Sequence, residues 1–337
     1  MPLHRPDHRE DQDEAPQVSV VVPAYNAAAT ISLCLTALVA QEYPAQRLEI
    51  IVVDDGSTDQ TAAIVRPFSV RYLHQHNQGP AAARNAGAAL AMGELLLFTD
   101  ADCVPAANWV AEMAAAFRPQ EVMAVKGAYR TNQRQLVARF VQIEFEERFA
   151  LLEKAGTTDM VDTYSAGYRA AVFAELGGFD TRFPVANNED TELSYRLAAR
   201  GLRMVFNPLA IVYHLNHPDS LWRYARLKFS RGYWRMLVYR RFPAKMLGDT
   251  YTPKSLKIQI VLILTLLASL PLPFVLGGWG LGPPILALIC FVAACWPFIR
   301  SAFAQDRAVG LCSPCLLAVR ALALGLGAVF GGCRGRL

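Results

Sequence analysis

Short runs of unbroken apolar residues, separated by polar or small-residue stretches, mark the first half of the chain. Val18–Val22, Leu48–Val53, Val70–Leu73 and Leu95–Thr99 are four such runs, and their length and β-branched content predict strands buried on both faces. Between them Thr30–Ala40, a stretch ending near Val65 and the Ala-rich Gly79–Met92 read as helices, the second capped by Ser57 or Thr58. Strands alternating with helices predict an α/β layer structure with a mainly parallel sheet. Residues 103–160 read as mostly helical, with one strand at Val122–Lys126. Thr163–Tyr168 reads as a strand entering the helix Ala170–Leu176, and Gly177–Asp180 as a turn. Glu189–Arg200 places Leu193 and Leu197 on one helical face, and Met204–Phe206 and Ile211–Tyr213 read as two short strands.

The pattern then changes. Leu221–Arg241 interleaves aromatic and aliphatic residues with arginines, which fits a helix lying in a membrane interface, a basic soluble helix being the alternative. Ile258–Leu276 is apolar for about the length a bilayer needs, and Ile285–Ile299 is a second, shorter candidate. The loop between them is uncharged, whereas Lys254, Lys257, Arg300 and Arg307 flank the far ends, which puts the flanks inside and the loop outside. Leu311–Phe330 carries Arg320 in its middle and Arg334 and Arg336 behind it, so a spanning and a re-entrant reading both stand, with the balance towards spanning. The expected organisation is a polar, disordered segment 1–16, an α/β domain 17–220, a basic interfacial region 221–257 and a membrane region 258–337 with helices near 258–276, 283–299 and 311–331.

Composition sharpens this. Hydrophobic residues reach 53% and charged residues only 18%, an apolar balance for a soluble chain. Ten Lys or Arg residues fall between Leu221 and Lys257, opposed only by Asp249. Directly before an apolar run, that charge suits an anionic membrane surface better than nucleic acid, for which no recognition module is visible. Seven cysteines, most of them in the apolar tail, do not resemble a disulfide framework. The polar N-terminus lacks the apolar core of a signal peptide, so the catalytic part is expected to face the cytosol across a multi-pass cytoplasmic membrane anchor.

Three polar clusters sit where predicted strands end, the place where open α/β sheets bind ligands. They are Pro23-Ala24-Tyr25-Asn26, Asp54 to Asp59, and Asp100-Ala101-Asp102. Two carboxylates one residue apart can share Mg²⁺ or Mn²⁺ with a diphosphate, or can form a solvated turn. Asp54 and Asp55 lie too early to be explained as helix caps and can accept from a base or a ribose. Arg84 can reach a phosphate or base with its planar fork, or can form a salt bridge. Asp190, at a helix start beside Glu189, can act as a general base or can simply favour the helix dipole. His214 can be a late metal ligand or a structural histidine, and His217 shares that ambiguity.

In order, VSVVVPAYNAA, IIVVDDGSTDQT, GPAAARNAG, ELLLFTDADCVP, VDTYSAGYRAAVFAELGGFD, NNEDTELSYRLAARG and VYH resemble the blocks of family 2 glycosyltransferases with the GT-A fold. The resemblance covers about Val18 to His214. It implies an inverting transfer of a sugar from a nucleotide-diphosphate donor, a UDP-sugar by default, to a lipid-linked or other membrane-proximal acceptor in cell-envelope glycan or glycolipid synthesis. It implies that Pro23, Ala24, Tyr25 and Asn26 line the nucleoside pocket. Asp55 would bind the base with Asp54 beside it, and Arg84 would lie near the nucleotide. Asp100 and Asp102 would form the D-x-D with Asp102 the direct metal ligand, and Asp190 would be the catalytic base, with Glu189, Tyr164 and Ser165 on the acceptor side. Departures are Cys103, where a polar residue often follows the D-x-D, and Tyr164-Ser165 in place of Gly-Asn. The Q-x-x-R-W of processive enzymes is unmatched at Ser230–Arg235, which argues for addition of a single sugar. A sugar nucleotidyltransferase would need a Gly-rich, Lys-bearing loop after the first strand, which Tyr25–Ala28 is not. An inactive scaffold would be expected to lose Asp55, Asp102 or Asp190, which are all present.

Overall fold

A computed structural model describes residues 15–183 and 187–333. By contacts the chain divides into two units, one running to Arg130 and resuming over Gly156–Leu215, the other comprising Thr131–Ala155 and Asn216 onward. Most of the N-terminal segment expected to be disordered, and Arg334 and Arg336, lie outside the described residues.

The first unit is built on one sheet of eight strands: β1 Val18–Ala24, β2 Leu48–Asp54, β3 Arg71–His74, β4 Leu95–Phe98, β5 Cys103–Pro105, β6 Val122–Arg130, β7 Ala166–Arg169 and β8 Arg203–His214. Their order is β3-β2-β1-β4-β7-β6-β8-β5. The four strands predicted first are parallel neighbours, with Val20 opposite Ile50 and Leu97. β7 is antiparallel to β4 and β6, β8 is parallel to β6, and β5 is antiparallel to β8. Helices α1 (Ile31–Val39), α2 (Thr61–Val65), α3 (Pro80–Leu90), α4 (Trp109–Ala115), α6 (Ala170–Glu175) and α7 (Glu189–Ala199) accompany the sheet.

Tertiary pairing accounts for the differences from the sequence reading. β5 lies in a stretch read as helical; three residues carry no periodicity, and only the partner strand β8 defines them. The two short strands expected after residue 203 are one, because Asn207 and Pro208 fall at a register irregularity of the β6–β8 pair rather than at a break. Thr163–Ser165 is a single 3₁₀ turn, and the strand starts only at Ala166. The helix near Val65 begins at Thr61, beyond reach of Ser57 and Thr58. Asp59 instead accepts from the Thr61 N–H at 2.9 Å.

The core joins Val21, Ile51 and Val53 of the sheet to Ala81 and Ala83 of α3, Leu193 and Leu197 of α7, and a cluster of aromatic rings. Phe98 lies 5.4 Å from Phe173 and 5.3 Å from Phe179, ring centre to ring centre. Each such side chain contributes roughly 1.5–3 kcal/mol by leaving water. Gly87 lets α3 press onto the sheet, since a Cβ there would collide with Val21 and touch Val53 at 3.0 Å.

The second unit consists of helices α5 (Leu136–Ala155), α8 (Leu221–Arg241), α9 (Pro243–Leu247), α10 (Lys254–Ser269), α11 (Leu272–Leu276), α12 (Gly282–Gln305) and α13 (Arg307–Cys333). Thus 136–155, which the sequence reading assigns to the α/β domain, groups with the C-terminal helices. The stretch Lys254–Gln305 and helix α13 are long and apolar enough to cross a membrane. The first is interrupted near Pro271 and again over Gly277–Leu281, so it holds three helices, α10, α11 and α12. Gly87→Val should lower the stability of the first unit by about 1–3 kcal/mol through overpacking, measured as a shift in its denaturation midpoint against wild type.

Candidate active site

The strand-end clusters meet because β1, β2 and β4 are parallel neighbours ending on one edge. The first two are tied by their loops. The Asp55 N–H donates to the Ala24 carbonyl at 2.8 Å, Asn26 N–H to Ser57 Oγ at 2.9 Å, and Thr58 N–H to Asn26 Oδ1 at 2.9 Å. Asn26 holds φ 49°, a left-handed conformation asparagine tolerates better than most residues, and Tyr25 is left half exposed. Pro23 and Ala24 complete β1.

Asp54 is fully buried and closes the turn, accepting from Ser57 N–H at 2.8 Å and from the Tyr72 hydroxyl at 2.6 Å. Asp55 organises the next loop. Its carboxylate accepts from Gln75 Nε2 at 2.7 Å, Gln78 N–H at 2.9 Å and Gly79 N–H at 2.8 Å. Gly79 has φ 91° and opens α3, so Asp55 fixes where that helix starts.

Arg84, on α3, is 2% exposed and forks between two carboxylates. Nη2 donates to Asp100 Oδ1 at 2.7 Å and Nη1 to Glu189 Oε1 at 2.8 Å. The guanidinium also lies 5.9 Å from the Phe179 ring centre. Burial disfavours its charge, but Asp100 and Glu189 outweigh that and hold its pKa above the ordinary value. Burial and neighbouring Asp190 push the Glu189 carboxyl upward, against Arg84. Glu189 further accepts from the Asn187 N–H at 2.6 Å, and Asn188 takes φ 66° at the entry to α7. Asp190 follows, partly exposed, with one oxygen accepting from the Thr191 N–H at 2.6 Å.

Asp102 is positioned from the other side. Cys103 pairs with His214 across the β5–β8 ladder, and the Leu215 N–H donates to the Asp102 carbonyl at 2.9 Å. This brings His214 Nε2 to 3.7 Å from Asp102 Oδ2. The ligand atoms of Asp102, Cys103 and His214 all lie within 4.8 Å of one another. A carboxylate oxygen and an imidazole nitrogen suit Mn²⁺ or Mg²⁺. Burial, and then Asp100, push the Cys103 thiol well above its usual pKa, as they push Cys34, and a soft sulfur suits Mg²⁺ or Mn²⁺ less than oxygen ligands do. Cys103 is a fully buried packing residue; a charged residue there would be desolvated.

The two acceptor-side expectations differ. Ser165 is fully buried, accepting from Trp109 Nε1 at 2.8 Å and donating to the Ala210 carbonyl at 3.3 Å. Tyr164 packs against Tyr129 with the rings tilted by 54° and their centres 4.1 Å apart, and Tyr129 lies 5.6 Å from the His214 ring. Lys126 is fully buried, pairs with Asp162 and donates to the Tyr164 hydroxyl at 2.8 Å. Lys126 and Tyr129, on a strand buried almost throughout, and Asp162, just before the 3₁₀ turn, escape sequence reasoning because no local pattern marks which polar residues are enclosed. His217 belongs to the second unit, where it stacks on Phe145 with ring centres 6.3 Å apart.

Residues 19–177 match the family model described as Glycosyl transferase family 2. The chain is 32% identical over 246 residues to the probable glycosyltransferase YdaM of Bacillus subtilis, covering 67% of this chain and 57% of that one. It is 28% identical over 225 residues to the pre-mycofactocin glycosyltransferase of Mycobacterium tuberculosis, covering 63% and 44%. The chain thus spans about half the length of these relatives. A solved structure of the mannosyltransferase PcManGT from Pyrobaculum calidifontis, in complex with GDP-Man and Mn²⁺, superposes with a TM-score of 0.62 at 25% identity, over 94% of this chain and 87% of that one.

Removing the fork leaves the buried Glu189 and the partly exposed Asp100 without a counter-charge. Arg84→Ala should cost about 3–5 kcal/mol of stability, read from denaturation curves. Glu189 carries the opposite pH sign from a stabilising carboxylate. Its folded pKa is raised, so the folded form keeps its proton longer than the unfolded chain, and stability falls as pH rises above the ordinary carboxylate value towards the folded one. The melting-temperature advantage of wild type over Glu189→Gln should therefore shrink across that window; a widening gap would contradict it.

Proposed function

We propose that this chain, a member of glycosyltransferase family 2 with a GT-A catalytic unit and C-terminal apolar helices, moves one sugar from a nucleotide-diphosphate donor to a membrane-proximal lipid acceptor with inversion at the anomeric carbon. The observation that carries the reading is the convergence of Asp100, Asp102, Glu189 and Asp190 around Arg84 and His214, at the ends of parallel strands. The solved relative that holds GDP-Man and Mn²⁺ adds to it.

In this reading Tyr25 covers the base, while Pro23, Ala24 and Asn26 wall the nucleoside pocket. Asp54 and Asp55 keep that wall rigid through the loops they bind, and Asp55 is the carboxylate closest in chemistry to a base or ribose contact. Uridine is the base the resemblance implies, and a thermal-shift panel of nucleotide sugars identifies it. Asp102 and His214 would hold Mg²⁺ or Mn²⁺, with Asp100 supporting them through Arg84. A divalent cation bound there would offset the charge that grows on the diphosphate as the glycosidic bond breaks. Asp190 takes the proton from the attacking acceptor hydroxyl. Glu189, already committed to Arg84, places Asp190 rather than sharing its work. Tyr164, packed against Tyr129, is the residue of the acceptor block that Tyr129 links to His214.

The apolar helices tie the site to its acceptor. The stretch Lys254–Gln305 leaves most of its apolar surface exposed, as a bilayer-embedded hairpin requires. The lysines and arginines before it favour the anionic inner leaflet, with the catalytic unit in the cytosol. Holding enzyme and lipid acceptor on one surface raises the effective concentration of the acceptor.

Asp190→Asn should keep donor-induced stabilisation but lose transfer by about 10²–10⁴-fold. Thermal shift with nucleotide sugar and Mn²⁺, beside transfer to a lipid extract, separates the two effects; full transfer would remove Asp190 from its role. His214→Ala and Asp102→Asn should abolish the Mn²⁺-dependent part of nucleoside-diphosphate binding, measured by calorimetry without any turnover.

A further inference from the structure

The helices of the second unit enclose charged groups that sugar transfer does not use. Glu144 of α5 is fully buried and accepts from Lys228 Nζ of α8 at 2.9 Å and from Arg320 Nη1 of α13 at 2.9 Å. Arg320 Nη2 also donates to Gln259 Oε1 of α10 at 2.6 Å, and Gln259 Nε2 donates to the Ala294 carbonyl of α12 at 3.0 Å. Helices α5, α8, α10, α12 and α13 therefore meet at one charged node.

Arg320 stands near the middle of α13, a helix that by length and composition alone can cross a membrane. Two of its node partners sit on helices that cannot. Besides Glu144, α5 carries Arg139, Glu146, Glu147 and Arg148; besides Lys228, α8 carries Arg223, Arg226, Arg231, Arg235 and Arg240. Helices so charged do not enter hydrocarbon. A spanning α13 would have to draw both of them in at its midpoint.

Beyond Arg320, α13 stays beside α8. Gly232 meets the Leu324 backbone, Gly327 the Phe229 carbonyl and Gly331 the Tyr233 carbonyl, each so closely that a Cβ would collide. The rings of Phe229 and Phe330 lie 5.9 Å apart, and Arg240 donates to the Gly332 carbonyl. Phe229 with Gly327 and Tyr233 with Gly331 advance together, so the helices run in the same direction. They remain in contact over most of the roughly 18 Å from Arg320 to Gly332. The stretch between Lys257 and Arg300 is the opposite case. It has no charged residue, and Val261, Phe274, Val275, Trp279, Leu286 and Trp296 are each more than half exposed.

We propose that α13 does not cross the bilayer: it lies beside α8 on an anionic membrane surface, on the face that bears the α8 arginines, and only the uncharged hairpin between Lys257 and Arg300 enters the lipid. This rests on the membrane reading given above and replaces the third span suggested by length. Cys333, at the end of α13, then lies on the same side as the catalytic unit, because no spanning segment separates that unit from α8.

Cys333 is exposed, and Cys34, Cys103 and Cys295 are buried, so Cys290→Ser, Cys312→Ser and Cys315→Ser together leave one accessible thiol in the full chain. A second variant adds Cys333→Ser and Met92→Cys, a strongly exposed position that marks the catalytic side. Sealed membrane vesicles of both orientations are treated with a membrane-impermeant maleimide. Labelling of both variants in the same orientation is the expected result. Labelling of Cys333 only in the opposite orientation overturns the proposal. Alkaline carbonate extraction separates this from the underlying reading: release of the chain to the supernatant removes the membrane assignment itself, whereas a pelleted chain with Cys333 on the far side removes only the placement of α13.

Discussion

One guanidinium holds the acidic site in register. Arg84 joins the strand-end turn at Asp100 to the helix start at Glu189, segments far apart in sequence; both bonds are short, and the one to Glu189 is fully buried. The charge balance explains why a forked cation is needed. Asp100, Asp102, Glu189 and Asp190 would otherwise repel one another, and burial together with Asp190 already pushes Glu189 towards its neutral form. A buried pair of this kind is weak as a source of stability and strong as a constraint on geometry. The constraint is what the proposed chemistry needs: in that proposal Asp102 on one side and Asp190 on the other face a common sugar-diphosphate.

The rest of the first unit delivers Arg84 to that point. Gly87 lets α3 lie close to the sheet, Asp55 fixes the loop that starts α3, and Phe179 with its aromatic neighbours supports the guanidinium from beneath. β5, though three residues long, performs the matching task for Asp102 by pairing Cys103 with His214. Cys103 stands out in the sequence because it interrupts an acidic motif. In the fold it is the buried step that brings Asp102 and His214 together, and a small apolar side chain is what such a step accepts.

The parallel half of the sheet was legible because unbroken runs such as Val18–Val22 and Leu95–Phe98 are buried on both faces and announce it. The acidic clusters were legible because strand ends in such sheets gather ligand-binding residues. What depended on distant pairing was not legible. β5 is too short to carry a period, β8 runs through a proline that reads as a break, and the Arg84 fork is set by two partners that no local pattern identifies. The same limit applies to α13. Its composition reads as a membrane span, and only the partners of Arg320 on α5 and α10, with Lys228 of α8 on the same Glu144, place that arginine among buried charges.

The account centres on the fork at Arg84, and Arg84→Lys tests it most directly. Lysine keeps the charge but presents a single ammonium in place of two rigid donor edges. In a variant shown by its melting curve to be folded, the measurement is the rate of sugar transfer at saturating donor and Mn²⁺. The account predicts a fall of roughly 10²-fold, the scale of an ångström-level misplacement of reacting groups, with nucleoside-diphosphate binding little changed. Transfer at the wild-type rate would contradict it.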